Sequence, residues 1–326
     1  MSINEAFEHF SKLKVLIIGD VMLDSYLWGK VERISPEAPV PIVNVHNREL
    51  RLGGAGNVAL NIHSLGAQPI LCSVIGNDVD GQNLLSLLES KGMSKEGLLK
   101  LENRPTTIKH RIISGSQHIL RVDSETDKPI SSEETEQLFS KIKQLLPDCH
   151  VVIFQDYDKG LITSALIEKT VLLADKQGVP TVVDPKKRNF LSYKNVTLFK
   201  PNLKELKEGL KIDFDKADKE EIKKASSLLM EKINAKATLI TLSEHGVFVS
   251  DGKSESFSPA HARAISDVSG AGDTVVSVAA LTLALGFPLK KVAELSNLAG
   301  GIVCEYIGVV PIERDKLLKE AQKLFP

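Results

Sequence analysis

The chain has 326 residues, 42% hydrophobic and 25% charged, which is ordinary globular usage and excludes collagen-like, disordered and low-complexity classes. Lys plus Arg is 41 and Asp plus Glu is 42, a net charge of -1, so the basic excess of a nucleic-acid binder is missing. The three cysteines, Cys72, Cys149 and Cys304, lie far apart and form no CxxC pair, which speaks against a zinc site or disulfide framework and for a reducing cytoplasm.

The N-terminal MSINEAFEHFSKLK mixes acids and bases without an apolar core, unlike a signal peptide. Lys14 to Asp20 (KVLIIGD) reads as a buried parallel strand with an acid at its end. Similar runs recur at Ile70–Ile75, His150–Phe154, Pro180–Asp184, Val196–Phe199 and Ala237–Leu242. Segments of helical period lie between most of them, at Gly81–Lys91, Glu133–Leu146, Thr163–Gln177 and Asp218–Ile233, and helices close the chain at Gly272–Leu285, Leu289–Tyr306 and Glu313–Leu324. The alternation predicts an α/β fold, a parallel sheet covered by helices on both faces. Ser25–His46 and Thr106–Asp123 break it and read as two β-hairpins, a small separate sheet able to serve as a lid or a dimer surface. The expected organisation is one domain over 1–326 with lid segments near 25–47 and 105–124. The longest apolar stretch, Thr274 to Leu289, is shorter than the ~20 residues of a membrane span and is interrupted by polar residues, so no membrane partner is expected.

The sharpest chemical feature is Asp267–Thr274, DVSGAGDT, ahead of a run with the apolar density of a buried helix. Gly270, Ala271 and Gly272 then sit at a helix N-terminus, where free N–H groups and the dipole favour an anion. Asp273 in the first turn is out of place beside an anion unless it takes a proton, and phosphoryl transfer supplies that proton from the attacking hydroxyl. An aspartate of ordinary pKa, ~3.9, is ionised at pH 7, and proton transfer to it is expected late. The bland alternative is an N-cap acid. Leu52–Gly66, LGGAGNVALNIHSLG, starts a helix at Gly53 and Gly54 whose early turn carries Asn57 and Asn61. It formally fits a dinucleotide fingerprint, but NRELRLGG before it is not the apolar strand such a site follows, so a slot for a polyhydroxyl ligand is the better reading. Asp20 and Asp24 supply acceptors for sugar hydroxyls at the strand end. In Asp184–Arg188 and Lys200–Glu205 the lysines can meet phosphates, while Asn202 and Glu205 can hold Mg2+ through water. No P-loop, H-E-x-x-H or G-x-S-x-G motif occurs.

This set resembles the PfkB/ribokinase family of sugar kinases: DVSGAGDT is similar to its C-terminal signature and LGGAGNVALNIHSLGA to its N-terminal one. GDVMLDSYLWG, ISPEAPVPIV, TTIKHRIISGSQHILRVD, DYDKG, DPKKRNF and PNLKE resemble one branch more closely, the bacterial D-glycero-D-manno-heptose 7-phosphate kinases. The resemblance implies a three-layer αβα core with a β-lid, ATP and Mg2+ as cofactors, and transfer to the anomeric hydroxyl to give the 1,7-bisphosphate, a step towards nucleotide-activated heptose. It makes Asp273 the general base and Gly270–Gly272 the anion hole, and assigns the sugar to Asp20, Gly54 and Asn57, with Asp24 and Gly53 beside them. Asn202 and Glu205 fall near Mg–triphosphate, Thr241, Ser243 and Gly246 along the nucleotide, and Asn297 at the adenine. Asp267 and Ser269 match a segment where family members often use a monovalent cation, which adds K+ as a cofactor candidate. Lys109, Arg111, Lys186 and Arg188 are candidates for the distal phosphate, while Ser269 replaces a usual Thr and Gly115-Ser116 an Arg-Asn pair. The implied assembly is a homodimer through the lid, with Tyr26, Trp28 and Val40 on its apolar face, and the nucleotidyltransferase often fused to such kinases is expected as a separate chain, since no H-x-G-H motif is seen. A kinase of another sugar, or a non-catalytic sugar or nucleotide sensor, are the rival readings.

Overall fold

The computed structural model describes residues 1–115, 117–216, 218–261 and 263–325. The mixed N-terminal segment hides an amphipathic helix, α1 (Ile3–Phe10), whose Ile3, Ala6, Phe7 and Phe10 form one buried stripe behind a Ser2–Glu5 capping box. The apolar run after it is β1 (Lys14–Gly19). Asp20 alone separates β1 from β2 (Val21–Ile34), which returns antiparallel as β3 (Pro41–Gly54). Then follow α2 (Ala55–Ser64), β4 (Gln68–Gly76), α3 (Val79–Ser90), β5 (Leu98–Leu101), β6 (Ile108–Ser114) and β7 (Gln117–Ser124). Ser116, between β6 and β7, lies outside the described residues. The middle of the chain alternates as expected: α4 (Ser132–Leu145), β8 (Val151–Gln155), α5 (Ser164–Lys176), β9 (Thr181–Asp184), β10 (Leu198–Phe199), α6 (Leu203–Leu210), α7 (Lys219–Ile233) and β11 (Ala237–Thr241). β12 (Val247–Ser250) and β13 (Glu255–Ser258) precede α8 (Ala271–Ala284), α9 (Leu289–Val303) and α10 (Arg314–Leu324).

Among the described residues the large sheet has the order β13-β12-β11-β10-β9-β8-β1-β4-β5. It is parallel from β11 to β5, with β12 and β13 as an antiparallel edge. Because successive strand side chains face opposite ways, Val15 and Ile17 of β1 join one core and Leu16 and Ile18 the other. The first core takes α1, α2, α8, α9 and α10 through Phe7, Val58, Val276, Val292 and Leu317. The second takes α4, α5, α6 and α7 through Leu138, Leu166, Leu206 and Leu229. Two cores on two sheet faces make the three-layer α/β architecture of the ribokinase-like fold.

The two hairpins join as one small sheet of order β3-β2-β6-β7, with β2 and β6 parallel. Its strands are longer than the hairpin pattern indicates: β2 and β3 pair from Ile34↔Pro41 down to Val21↔Gly54, and only their outer halves are exposed. Gly53 and Gly54 therefore end a strand rather than begin a helix. Gly54 has φ +57, and a Cβ there would lie 2.4 Å from the Asp20 carbonyl oxygen, so only glycine lets the chain turn into α2 this close to the end of β1. No described helix is long and apolar enough to cross a membrane.

Candidate active site

Helix α8 begins at the C-terminal ends of β8, β9 and β10. Its N-cap, Gly270, sits at φ 80 without a side-chain cap; Ala271 N donates to the Val268 carbonyl at 3.3 Å, and the Gly272 and Asp273 amides are left to a ligand or water. They open on a cleft of about 480 Å³ lined by Gly270, Ala271, Gly272 and Asp273 on one side and by Gln155, Tyr157, Asp184, Lys186 and Lys200 opposite. A Cβ at Gly272 would meet only Asp184 Oδ2 at 3.8 Å and Lys200 Nζ at 4.0 Å, so this glycine keeps open the space over the amides.

Asp273 lies at the head of α8 and is buried, yet it lines the cleft. Its Oδ2 accepts from Asn57 Nδ2 at 2.7 Å, and its Oδ1 accepts from Tyr157 OH at 2.8 Å and Gln155 Nε2 at 3.1 Å. Burial pushes its pKa up to about 6; the Asp184 charge adds to the rise, while the Asn57 and Tyr157 hydrogen bonds and Lys200 oppose it. The ordinary carboxylate value expected from sequence is thus corrected upwards, towards the range that suits a proton acceptor at neutral pH. Asp184 and Lys200 form a buried ion pair at 3.0 Å, so Lys200 is not a free phosphate ligand.

The same cleft is also lined by Asn202, Glu205, Thr241, Ser243, Gly246 and Asn297. Asn202 and Glu205 make the capping box of α6: Asn202 Oδ1 accepts from Glu205 N at 2.8 Å, and Glu205 Oε2 from Asn202 N at 2.9 Å. Lys186 donates to the other Glu205 oxygen. The helix cap and the cleft wall are the same residues. Their oxygens are the hard donors Mg2+ takes, but each already accepts a bond, so they fit a hydrated ion held through water. Asn297 Nδ2 donates to the Pro259 carbonyl at 2.8 Å and so holds the loop that brings Ala260 into the cleft wall.

Several predicted sugar contacts are placed elsewhere. Asp20 is buried with its carboxylate accepting backbone N–H groups of Tyr157, Lys159 and Leu161 at 2.9, 3.2 and 3.2 Å; it holds a loop instead of facing the cleft. Asp24 pairs with Arg111, and Gly53 makes room for the Asp24 carboxylate, 2.4 Å from where a Cβ would sit. Lys109 bridges Asp123 and Glu125 at 2.9 and 2.8 Å, and Arg188 binds Asp127 at 2.9 Å, so neither presents a free cation. Asn57 serves Asp273 directly. Of the four distal-phosphate candidates, Lys186 alone lines the cleft. Asp267 closes its own loop, accepting from Ser269 N and Oγ at 2.9 and 2.8 Å and from Gly308 N at 2.9 Å, outside the cleft wall. Gln155 and Tyr157 were not singled out from sequence as site residues; the only signal was the DYDKG string that contains Tyr157.

The pfkB family carbohydrate kinase model matches residues 12–315. The chain is 40% identical over 294 residues to the Bifunctional protein HldE of Wolinella succinogenes, covering 90% of this chain and 61% of that one. It is 39% identical over 314 residues to the Bifunctional protein HldE of Desulfatibacillum aliphaticivorans, covering 96% and 64%. The chain therefore spans under two thirds of the length of these relatives. Phosphofructokinase-2 from Escherichia coli, solved in complex with potassium, superposes with TM-score 0.77 at 21% identity, covering 96% of this chain and 98% of that one. The same enzyme in complex with fructose-6-phosphate gives 0.76 at 19%, covering 96% and 98%. A family match running through both cores and the whole cleft leaves one assignment: this chain belongs to the pfkB family of carbohydrate kinases, phosphotransferases with an alcohol group as acceptor.

Proposed function

We propose that the protein transfers the γ-phosphoryl group of ATP to the anomeric hydroxyl of D-glycero-D-manno-heptose 7-phosphate, giving the 1,7-bisphosphate for nucleotide-activated heptose and surface polysaccharide. The observation that carries the transfer chemistry is Asp273, a buried carboxylate with pKa up to about 6 beside the uncapped amides of α8 and facing the cleft. The choice of sugar is supported by the GDVMLD and ISPEAPVP strings and by identity near 40% to HldE proteins. In the proposed reaction the hydroxyl oxygen attacks the γ-phosphorus, the bond to the β-phosphate oxygen breaks, and ADP leaves. The proton passes to Asp273 late, as negative charge builds on the transferring group and the Gly270–Gly272 amides receive it. Mg2+ on the triphosphate would supply charge neutralisation, held through water near Asn202 and Glu205. A potassium ion near Asp267 and Ser269 belongs to the proposal on family grounds.

The test is turnover with ATP across a panel of sugars and sugar phosphates. Heptose 7-phosphate is expected to give the highest kcat/KM. A preference for a ketose or hexose phosphate would make the protein a pfkB kinase of another sugar, and binding without turnover of any member would make it a sensor. Gly272→Ala is expected to fold normally, because its methyl meets neighbours only at ordinary contact distance. Its methyl should still fill the space over the amides, keep the transferring group from them and lower kcat towards the ~10²-fold scale of an impaired oxyanion site, read by comparing kcat with melting temperature.

The small sheet is proposed as a lid and as the surface of a homodimer. Ile34, Val40, Leu120 and Val122 are exposed on it or at its tip, which supports this reading. Tyr26 is not on that face: it is buried, stacked on Trp28 at 6.0 Å and under Arg51 at 4.6 Å. The mass in solution at micromolar protein is expected to be twice that of the chain, and a monomer would remove the dimer from the proposal.

A further inference from the structure

Two carboxylate oxygens offer about four acceptor positions in all, two on each. On Asp273, Oδ1 has both filled, by Tyr157 OH at 2.8 Å and Gln155 Nε2 at 3.1 Å. Oδ2 has one filled, by Asn57 Nδ2 at 2.7 Å. We propose that Tyr157 is a positioning residue of the phosphoryl transfer: with Gln155 it occupies Oδ1 of Asp273 and leaves Oδ2 as the oxygen that takes the proton from the acceptor hydroxyl. This rests on the reading of Asp273 as the proton acceptor and adds which of its atoms reacts and what enforces the choice.

Tyr157 is held for that task by more than its own ring. It stands on the loop after β8, and Asp20 accepts the N–H groups of Tyr157, Lys159 and Leu161. One residue back, Asp156 is clamped by Tyr193 OH at 2.8 Å, Asn189 Nδ2 at 3.2 Å and Asp158 N at 2.9 Å. Gly160, at φ +84, packs so closely that a Cβ would lie 2.1 Å from the Lys128 carbonyl oxygen. A loop pinned at each of these points leaves the phenol little freedom to leave Asp273. Lys186 Nζ lies 5.7 Å from the centre of the same ring.

The charged groups facing Asp273 are Asp184 from β9, Lys200 after β10 and Lys186 after β9. All are unchanged in Tyr157→Phe, so the pH profile reports the lost phenol. Its hydrogen bond favours the ionised carboxylate; without it Asp273 holds its proton to higher pH.

The experiment measures kcat and kcat/KM against pH for the full chain and Tyr157→Phe, with the panel's best acceptor. The expected result is a kcat at pH 7 lower by about ten-fold, the scale of one hydrogen bond to a charged group. The acid limb of kcat/KM should move to higher pH, and KM for ATP should stay unchanged. A kcat and acid limb matching the unmodified chain, in a variant of unchanged melting temperature, would overturn the proposal. If the phenylalanine variant melts early, 3-fluorotyrosine placed at position 157 keeps the shape and makes the phenol a stronger donor. The acid limb should then move to lower pH, and an unmoved limb overturns the proposal equally. Asp273→Asn separates the two readings. If that variant is inactive while both changes at 157 are silent, the positioning role alone fails. If it is active, the base assignment fails as well.

Discussion

Asp273→Asn is expected to lower kcat by ~10²–10⁴-fold, the range for loss of a general base, while ATP binding measured by titration stays near that of the unmodified chain. Asp273 and the nucleotide candidates Asn202, Thr241 and Asn297 are separate residues of one cleft wall, so the substitution is expected to separate chemistry from nucleotide affinity. The pH dependence carries the same information. Burial raises the Asp273 pKa to about 6, and the reaction needs the ionised form. Activity is therefore full above that value and lost as pH falls through it, a higher acid limb than an exposed aspartate would give. In Asp273→Asn that limb should vanish from the residual rate. A variant that keeps its kcat would rule out the base assignment.

The second large effect is on stability. Lys200 and Asp184 have side chains only 3% and 8% exposed and meet at 3.0 Å. Lys200→Met leaves a buried carboxylate without its cation, which costs ~3–5 kcal/mol when one partner of such a pair is removed. The urea midpoint should drop accordingly. Asp184→Leu combined with Lys200→Met should recover most of the loss, since replacing both partners removes the uncompensated charge. If the single variant unfolds at the midpoint of the unmodified chain, the pair contributes nothing. Lys200 also helps to keep the Asp273 pKa down, so residual activity in Lys200→Met should lose its acid side at higher pH.

The sheet was legible because buried parallel strands read as unbroken apolar runs, and each of the predicted runs is a strand. What escaped has physical reasons. α1 carries its apolar residues on one stripe among acids and bases, and a composition reading averages that stripe away. β12 and β13, four residues each, are too short to show a pattern. In the site, Asp273 was found because two glycines and a buried helix bracket it, a local signal. Asn57 was singled out for the sugar, but its hydrogen bond to Asp273, 216 positions away, leaves no trace in spacing along the chain. The loop contacts of Asp20 were invisible for a related reason. A strand-end acid can bind a ligand or tie down a neighbouring loop, and the choice depends on where the backbone of residues 157–161 passes.

The first hairpin is joined to the large sheet without slack: Asp20 alone lies between β1 and β2, and α2 starts directly after the last residue of β3. Neither joint contains a flexible segment that could act as a door hinge. If the hairpin moves as the proposed lid, the expectation is a leaf spring, flexing along its outer, solvent-facing half while its root stays clamped. Backbone amide exchange should then quicken steadily from Val21 towards Ile34, and a bend at the tip would be felt at the root through Asp20, the residue that also anchors the Tyr157 loop.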